Sequence, residues 1–137
     1  MTCEISPLRP DEAEFAVSLW EECGLTRPWN DPRADIALAL GGENSTVLAG
    51  RLDGRLVATA MTGSDGHRGW VYYLAVASDH RRKGLGGRMM QAAADWLKAR
   101  GAPKLHVMIR SENLAVAAFY AKLGYEKSDT ITMAKKL

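Results

Sequence analysis

The sequence predicts one α/β domain on a mixed sheet, with elements in the order β-α-α-β-β-β-α-β-α-β. Three observations predict it. Two β-prone runs flank Asp53-Gly54, the strongest short hairpin signal. An apolar strand, a long amphipathic helix and another strand follow in succession, the pattern of a parallel crossover that is right-handed by default. The 137 residues are the usual size of one domain, 1–137, and can bury a core without disulfides or metals.

Each element has its own signal. "CEIS" reads as a first strand ending at Pro7. "DEAEFAVSLWEEC" reads as a helix, with Phe15, Leu19 and Glu22/Cys23 at helical spacing and Asp11 and Glu12 near the positive end of its dipole. Asp31 is placed to cap a second helix, with Pro32 at its first position and Gly41 at its end. "STVLAGRLDGRLVATAMTG" is the hairpin, and "WVYYLAV" is a strand expected to be covered on both faces. "GLGGRMMQAAADWLKARG" carries an apolar stripe of Leu85, Met89, Ala93, Trp96 and Leu97 and stops at Gly101. "KLHVMIR" is a strand, "ENLAVAAFYAKLG" a helix closed by Gly124, and "TITMAKKL" a last strand.

Composition narrows the function classes. The chain is 47% hydrophobic and 25% charged, with a formal net charge of 18 − 16 = +2. That balance is too weak to imply nucleic acid or a membrane surface. Cys3 and Cys23 form no CxxC, which fits a reduced cytoplasmic protein. The early polar residues lack the apolar core of a signal peptide, and no apolar run approaches the ~18 residues of a spanning helix. Three scattered histidines, with no cysteine or acidic spacing around them, predict no metal site.

One stretch stands out. In "YYLAVASDHRRKGLGGRMM", the cations Arg81, Arg82 and Lys83 directly precede Gly84, Gly86 and Gly87 at the mouth of a helix. A helix start leaves backbone N–H groups without partners and carries partial positive charge. Glycines let a ligand approach that backbone, and flanking cations complete an anion site suited to phosphates. No Lys-Ser/Thr follows the glycines, so a P-loop fails. The third glycine of a dinucleotide fingerprint is missing, because Arg88 and Met89 follow Gly87.

The pattern that fits is Arg81-x-x-Gly84-x-Gly86 after a strand and opening a helix. Downstream, Asn113, Ala117, Phe119, Tyr120, Gly124 and Tyr125 stand in "ENLAVAAFYAKLGY". Together these segments resemble the GCN5-related N-acetyltransferase (GNAT) family over essentially the full chain. "LTRPWNDP" and "DGHRG" also look like segments of one bacterial member. The resemblance implies a three-layer fold whose central sheet has two splayed parallel strands. It implies an enzyme that transfers an acetyl group from acetyl-CoA to a primary amine, on a small molecule or on a protein lysine or N-terminus.

The same resemblance implies roles for residues. Backbone N–H groups from Arg82 through Leu85, Gly86 and Gly87, with Arg81 and Lys83 nearby, would grip the pyrophosphate. Arg88 points to solvent or to phosphate. The edge of Leu74, Ala75 and Val76 would carry the pantetheine arm, and an N–H near Leu74 would stabilise the oxyanion. Asn113 would hydrogen-bond the arm or simply start its helix, and Phe119 would lie beside the coenzyme. Tyr120 would protonate the leaving thiolate, or else pack beside Phe119 and Leu123 with its hydroxyl in water.

The general base is not implied. Relatives with a Glu on the "WVYYLAV" strand find no carboxylate there, and Met108 stands near the Glu of N-terminal acetylating members. Asp65, His67, Tyr72, Tyr73 and water remain as candidates; His80 and His106 read as turn and strand residues. Trp29, Asn30 and Asp31 lie in the loop that walls the acceptor pocket in this family. There Trp29 is either a pocket wall or a core plug, and Asp31 either an ammonium attractor or a helix cap. A homodimer is compatible with the family. Two rival readings differ in class: a non-catalytic acyl-CoA-binding or regulatory module on the same fold, and a nucleic-acid module built on "HRRKGLGGR". The second lacks an aromatic platform.

Overall fold

A computed structural model describes residues 2–137. Five strands, β1 (Glu4–Pro7), β2 (Ser45–Leu52), β3 (Arg55–Ser64), β4 (Gly69–Val76) and β5 (Leu105–Val107), lie side by side in sequence order. Neighbours are antiparallel except β4 and β5, which are parallel. Asp53 and Gly54 join β2 to β3 with φ of 51° and 78°, the left-handed pair that a two-residue hairpin demands. Helices α1 (Ala13–Glu22) and α2 (Pro32–Gly41) cover one face, and α3 (Leu85–Ala99) and α4 (Leu114–Lys122) are associated with the other.

Two cores follow. Val17, Trp20 and Ile36 pack with Val47, Ala49 and Ala75 on the first face. Met89, Met90, Ala93 and Tyr120 pack with Leu48, Ala58, Ala60 and Val71 on the second. Val71 and Ala75, four residues apart on one strand, sit in opposite cores, although a regular strand would put both on one face. The phase changes at a bulge, where β4 inserts a residue opposite β3 and Tyr73 takes φ 51°.

Some sequence expectations are corrected. No strand forms in residues 126–137, and Ile131 and Met133 are 88% and 87% exposed. The alternation in "TITMAKKL" is real, but a strand forms only against a partner, and β5 is three residues long. Phe15 is 67% exposed, because α1 buries the face of Ala16, Val17, Leu19 and Trp20. The large indole of Trp20 sets the rotation of that helix. Trp96 is half-buried, with the Arg100 guanidinium 3.5 Å over its ring. "WVYYLAV" is not covered throughout, since Tyr72 is exposed. Among the described residues, no helix is long and apolar enough to cross a membrane.

Candidate active site

β4 and β5 pair only at Gly69–Val71 with Leu105–Val107. Beyond Val71 the two strands part, so the C-terminal half of β4 keeps one unpaired edge. The Ala77 N–H donates to the Val57 carbonyl at 2.8 Å, while Val76 stands opposite Ala58. The alternation of an antiparallel ladder therefore turns the main-chain groups of Val76 away from β3, toward the open edge. Ala75 is buried and paired with Thr59, so it faces β3 instead of that edge.

At the bulge, the Thr59 hydroxyl donates to the Tyr73 carbonyl at 2.9 Å. The Tyr73 carbonyl and the Leu74 N–H belong to one planar trans peptide and point in opposite directions. The Leu74 N–H is thus turned away from Thr59. The edge from Leu74 to Val76 has no strand partner; its Val76 carbonyl accepts from side chains, and its other outward main-chain groups suit pairing with an extended amide-bearing ligand.

The basic-glycine loop follows. Arg82 takes φ 63° and Gly84 φ 77°, a twist that gathers successive N–H groups into an anion-binding concavity. Gly84 caps α3 without any side-chain hydrogen bond, and the first turn of α3 holds no acidic residue. The first N–H groups of α3 are free of intrahelical partners, and Arg82 and Lys83 are exposed beside them. Gly86 has a packing reason, since a Cβ there would lie 3.0 Å from the Phe119 ring. Phe119 thus sits against the mouth of α3.

The flanking arginines do different work. Arg81 donates to the Val76 carbonyl at 3.1 Å and to the Cys23 sulfur at 3.3 Å, which ties the loop to β4 and to the end of α1. The Cys23 thiol also reaches the Val76 carbonyl, at 3.5 Å. Arg88 donates to the Cys3 carbonyl at 3.0 Å, so it braces α3 on the residue before β1 while staying exposed to solvent.

On α4, Asn113 accepts from the Val116 N–H at 3.2 Å and caps the helix. Tyr120 is 7% exposed, edge-on to Phe119 at 5.0 Å and to Tyr125 at 5.4 Å. Burial, with Tyr125 adding to it, pushes its phenol up to about 12.

The comparisons decide the family. The Acetyltransferase (GNAT) family profile matches residues 8–125. An acetyltransferase of Pectobacterium atrosepticum is 43% identical over 134 residues, 98% of this chain and 95% of its own. An uncharacterized N-acetyltransferase of Yersinia pestis is 42% identical over the same shares. The chain belongs to the GNAT family. It is an enzyme, an N-acetyltransferase. Solved structures share the fold: AAC(6')-Iy in complex with a CoA bisubstrate analogue, at TM-score 0.85, 15% identity and 100% and 99% coverage of the two chains. Ribosomal-protein-alanine N-acetyltransferase from Brucella melitensis biovar Abortus 2308 follows, at 0.79, 21% identity and full coverage of both.

Within this GNAT fold the residues expected on the acceptor side are divided. Asp31 accepts from the Arg33 and Ala34 N–H groups at 3.0 and 3.2 Å, so it caps α2. Trp29 is 63% exposed and plugs no core; the Arg110 guanidinium lies 5.6 Å from its ring. Asn30 is exposed in a turn closed on Arg27. Asp65 accepts from the Arg68 and His67 N–H groups at 2.7 and 2.8 Å and from the Trp70 indole at 3.2 Å. Those bonds hold its carboxyl below the usual range, which makes it a weak base. Burial pushes the Tyr72 phenol up, with Asp65 adding to it, so Tyr72 keeps its proton. His67 is exposed on the same loop.

One juxtaposition carries no local sequence signal. Tyr73 stacks on Trp20 at 3.7 Å and its hydroxyl donates to Asp35 at 2.7 Å. These contacts join β4 to α1 and α2, and no motif marks residues so far apart in the chain.

Proposed function

We propose that this protein acts as one domain over residues 1–137 and transfers the acetyl group of acetyl-CoA to a primary amine, on a small molecule or on a protein lysine or N-terminus. The observation that carries this is the junction of the open β4 edge, Leu74 to Val76, with the cationic start of α3, which no side chain caps. An unpaired strand edge fits the amides of pantetheine, and the helix start fits a pyrophosphate. Fold relatives support the amine class: one is in complex with CoA-S-monomethyl-acetylneamine and another is a ribosomal-protein-alanine N-acetyltransferase.

Acetyl-CoA supplies a thioester whose C–S bond breaks as a C–N bond forms to the amine. The chain supplies the rest. N–H groups of Arg82 to Gly87 hold the pyrophosphate, with Lys83 screening its charge. The Leu74 N–H donates to the carbonyl oxygen as negative charge develops there. Phe119 and Asn113 flank the arm. Tyr120 hydrogen-bonds the departing sulfur. Its phenol at about 12 against a thiol near ~8.5 makes full proton transfer uphill by about 5 kcal/mol. Tyr120 therefore works as a hydrogen-bond donor, and the amine's proton leaves through water or His67, since Asp65 and Tyr72 are poor bases and the Tyr73 hydroxyl is committed to Asp35.

The test is thermal denaturation with acetyl-CoA. A ligand at 100 times its Kd stabilises the native state by about 2.7 kcal/mol. The Tm should rise, and Arg82→Glu/Lys83→Glu, which reverses two exposed charges, should remove the rise. No rise in the wild type, or an equal rise in the double variant, overturns the assignment of the loop.

A further inference from the structure

Thr59 is completely buried on β3, beneath the bulge of β4. Its hydroxyl has two partners: the Trp20 indole N–H at 2.8 Å and the Tyr73 carbonyl at 2.9 Å. An indole N–H only donates. The Thr59 oxygen must therefore accept from Trp20, and its single hydrogen is directed to the Tyr73 carbonyl. The polarity of this relay, from Trp20 through Thr59 to Tyr73, has one solution.

Its end point is the peptide that carries the Leu74 N–H. The peptide is planar and trans, so fixing the carbonyl end fixes the N–H end in the opposite direction. The backbone needs such fixing. Tyr73 holds φ 51°, a left-handed conformation that costs a non-glycine residue about 1–2 kcal/mol. The Tyr73 side chain is held as well, stacked on the same Trp20 ring at 3.7 Å and bonded to Asp35 at 2.7 Å. Main chain and side chain of the strained residue are thus anchored to one buried indole.

We propose that Thr59 is a positioning residue for catalysis: with Trp20 it pins the Tyr73–Leu74 peptide so that the Leu74 N–H stays aimed at the acetyl carbonyl oxygen. The inference rests on the reading of the β4 edge as the acetyl-CoA track. It assigns work to two core residues that touch neither coenzyme nor acceptor.

The experiment uses acetyl-CoA labelled with carbon-13 at the thioester carbonyl and follows the bound carbonyl stretch by isotope-edited infrared difference spectroscopy. Wild type, Thr59→Val and Thr59→Ser are compared. A hydrogen bond to the carbonyl oxygen lowers its stretching frequency. The bound frequency should be lowest in wild type, shift upward in Thr59→Val and return in Thr59→Ser. Affinity for CoA, which lacks the acetyl group, should change less than about twofold, showing that the variant is folded. Equal frequencies in wild type and Thr59→Val overturn the proposal and leave the coenzyme track standing. Failure of the wild type to bind acetyl-CoA overturns the track itself. Should Thr59→Val fail to fold, Trp20→Phe frees the Thr59 hydroxyl to turn, and an upward shift there supports the relay while an unchanged frequency overturns it.

Discussion

Glu12 and Arg51 meet in a bidentate ion pair with both side chains 6% exposed: Nε reaches Oε2 at 2.9 Å and Nη2 reaches Oε1 at 2.6 Å. Arg51 also donates to the Ser6 hydroxyl at 2.6 Å and to the Pro7 carbonyl at 3.1 Å, so one guanidinium ties β2 to β1 and to the turn before α1. The sequence marks Glu12 only as an acidic residue near a helix start, and its burial depends on a strand 39 residues away.

Stability should therefore fall in acid through Glu12. Its bond to Arg51 is the main cause holding the carboxyl at about 2. An unfolded glutamate titrates near ~4.3. The native state favours the charged form, so this contribution is present above pH ~4.3 and lost as pH falls toward 2, by up to about 3 kcal/mol. Glu12→Gln leaves a buried guanidinium without its counter-charge and should cost about 3–5 kcal/mol at pH 7. Urea unfolding at pH 7 and pH 3 checks both, because the gap between wild type and variant should narrow in acid. A constant gap would show that the pair does not titrate on folding.

Glycines of one loop should separate by mechanism. A Cβ on Gly84 meets nothing within 4 Å, so Gly84→Ala costs only the strain of φ 77°, about 1–2 kcal/mol. Gly87 lies inside α3, and a Cβ there is 3.6 Å from Leu123, an ordinary contact. Gly87→Ala should stabilise the fold by about 0.5–1 kcal/mol through helix propensity. It should nevertheless weaken acetyl-CoA binding, because the new methyl stands where the backbone must be approached. Melting curves with and without acetyl-CoA read both effects. A variant with unchanged affinity would move the phosphate away from this turn.

Local features were legible in the sequence. Asp53-Gly54, Asp31-Pro32 and the Arg81-to-Gly87 run each announce their structure through neighbours in the chain. The splay of β4 from β5 came only through resemblance. What stayed hidden is tertiary. Trp20, Thr59, Tyr73 and Asp35 carry no local pattern, and they meet only when α1, α2, β3 and β4 assemble. The same reason explains the error at "TITMAKKL", where local alternation promises a strand that no neighbouring edge completes.

That segment yields a direct stability prediction. Residues 126–137 are exposed and form no ladder in this chain. Deleting residues 127–137 should therefore change unfolding free energy by no more than about 0.5 kcal/mol, the range of substitutions that touch no core or cap. Tyr125 should be retained, since its ring packs on Tyr120. Denaturant unfolding of the truncated chain is the check, and a loss of several kcal/mol would mean that the tail pairs with an edge.

Tyr120 offers the sharpest kinetic test. Tyr120→Phe keeps the aromatic packing with Phe119 and Tyr125 and removes only the hydroxyl. Affinity for acetyl-CoA should hold, while kcat should fall by about 10- to 100-fold, as expected for loss of a donor to a developing charge. The pH profile carries separate information. With its phenol at about 12, Tyr120 stays protonated through the working range. Activity should rise with pH as the acceptor amine loses its proton, and no descending limb from Tyr120 should appear below pH ~11. Thiol release measured with a panel of primary amines from pH 6 to 10.5 reads both. A descending limb near pH 9 that disappears in Tyr120→Phe would mean that the bound coenzyme pulls the phenol down, and that full proton transfer to sulfur occurs. A wild-type kcat in the variant would remove Tyr120 from the chemistry and leave its buried ring as packing between α4 and the sheet.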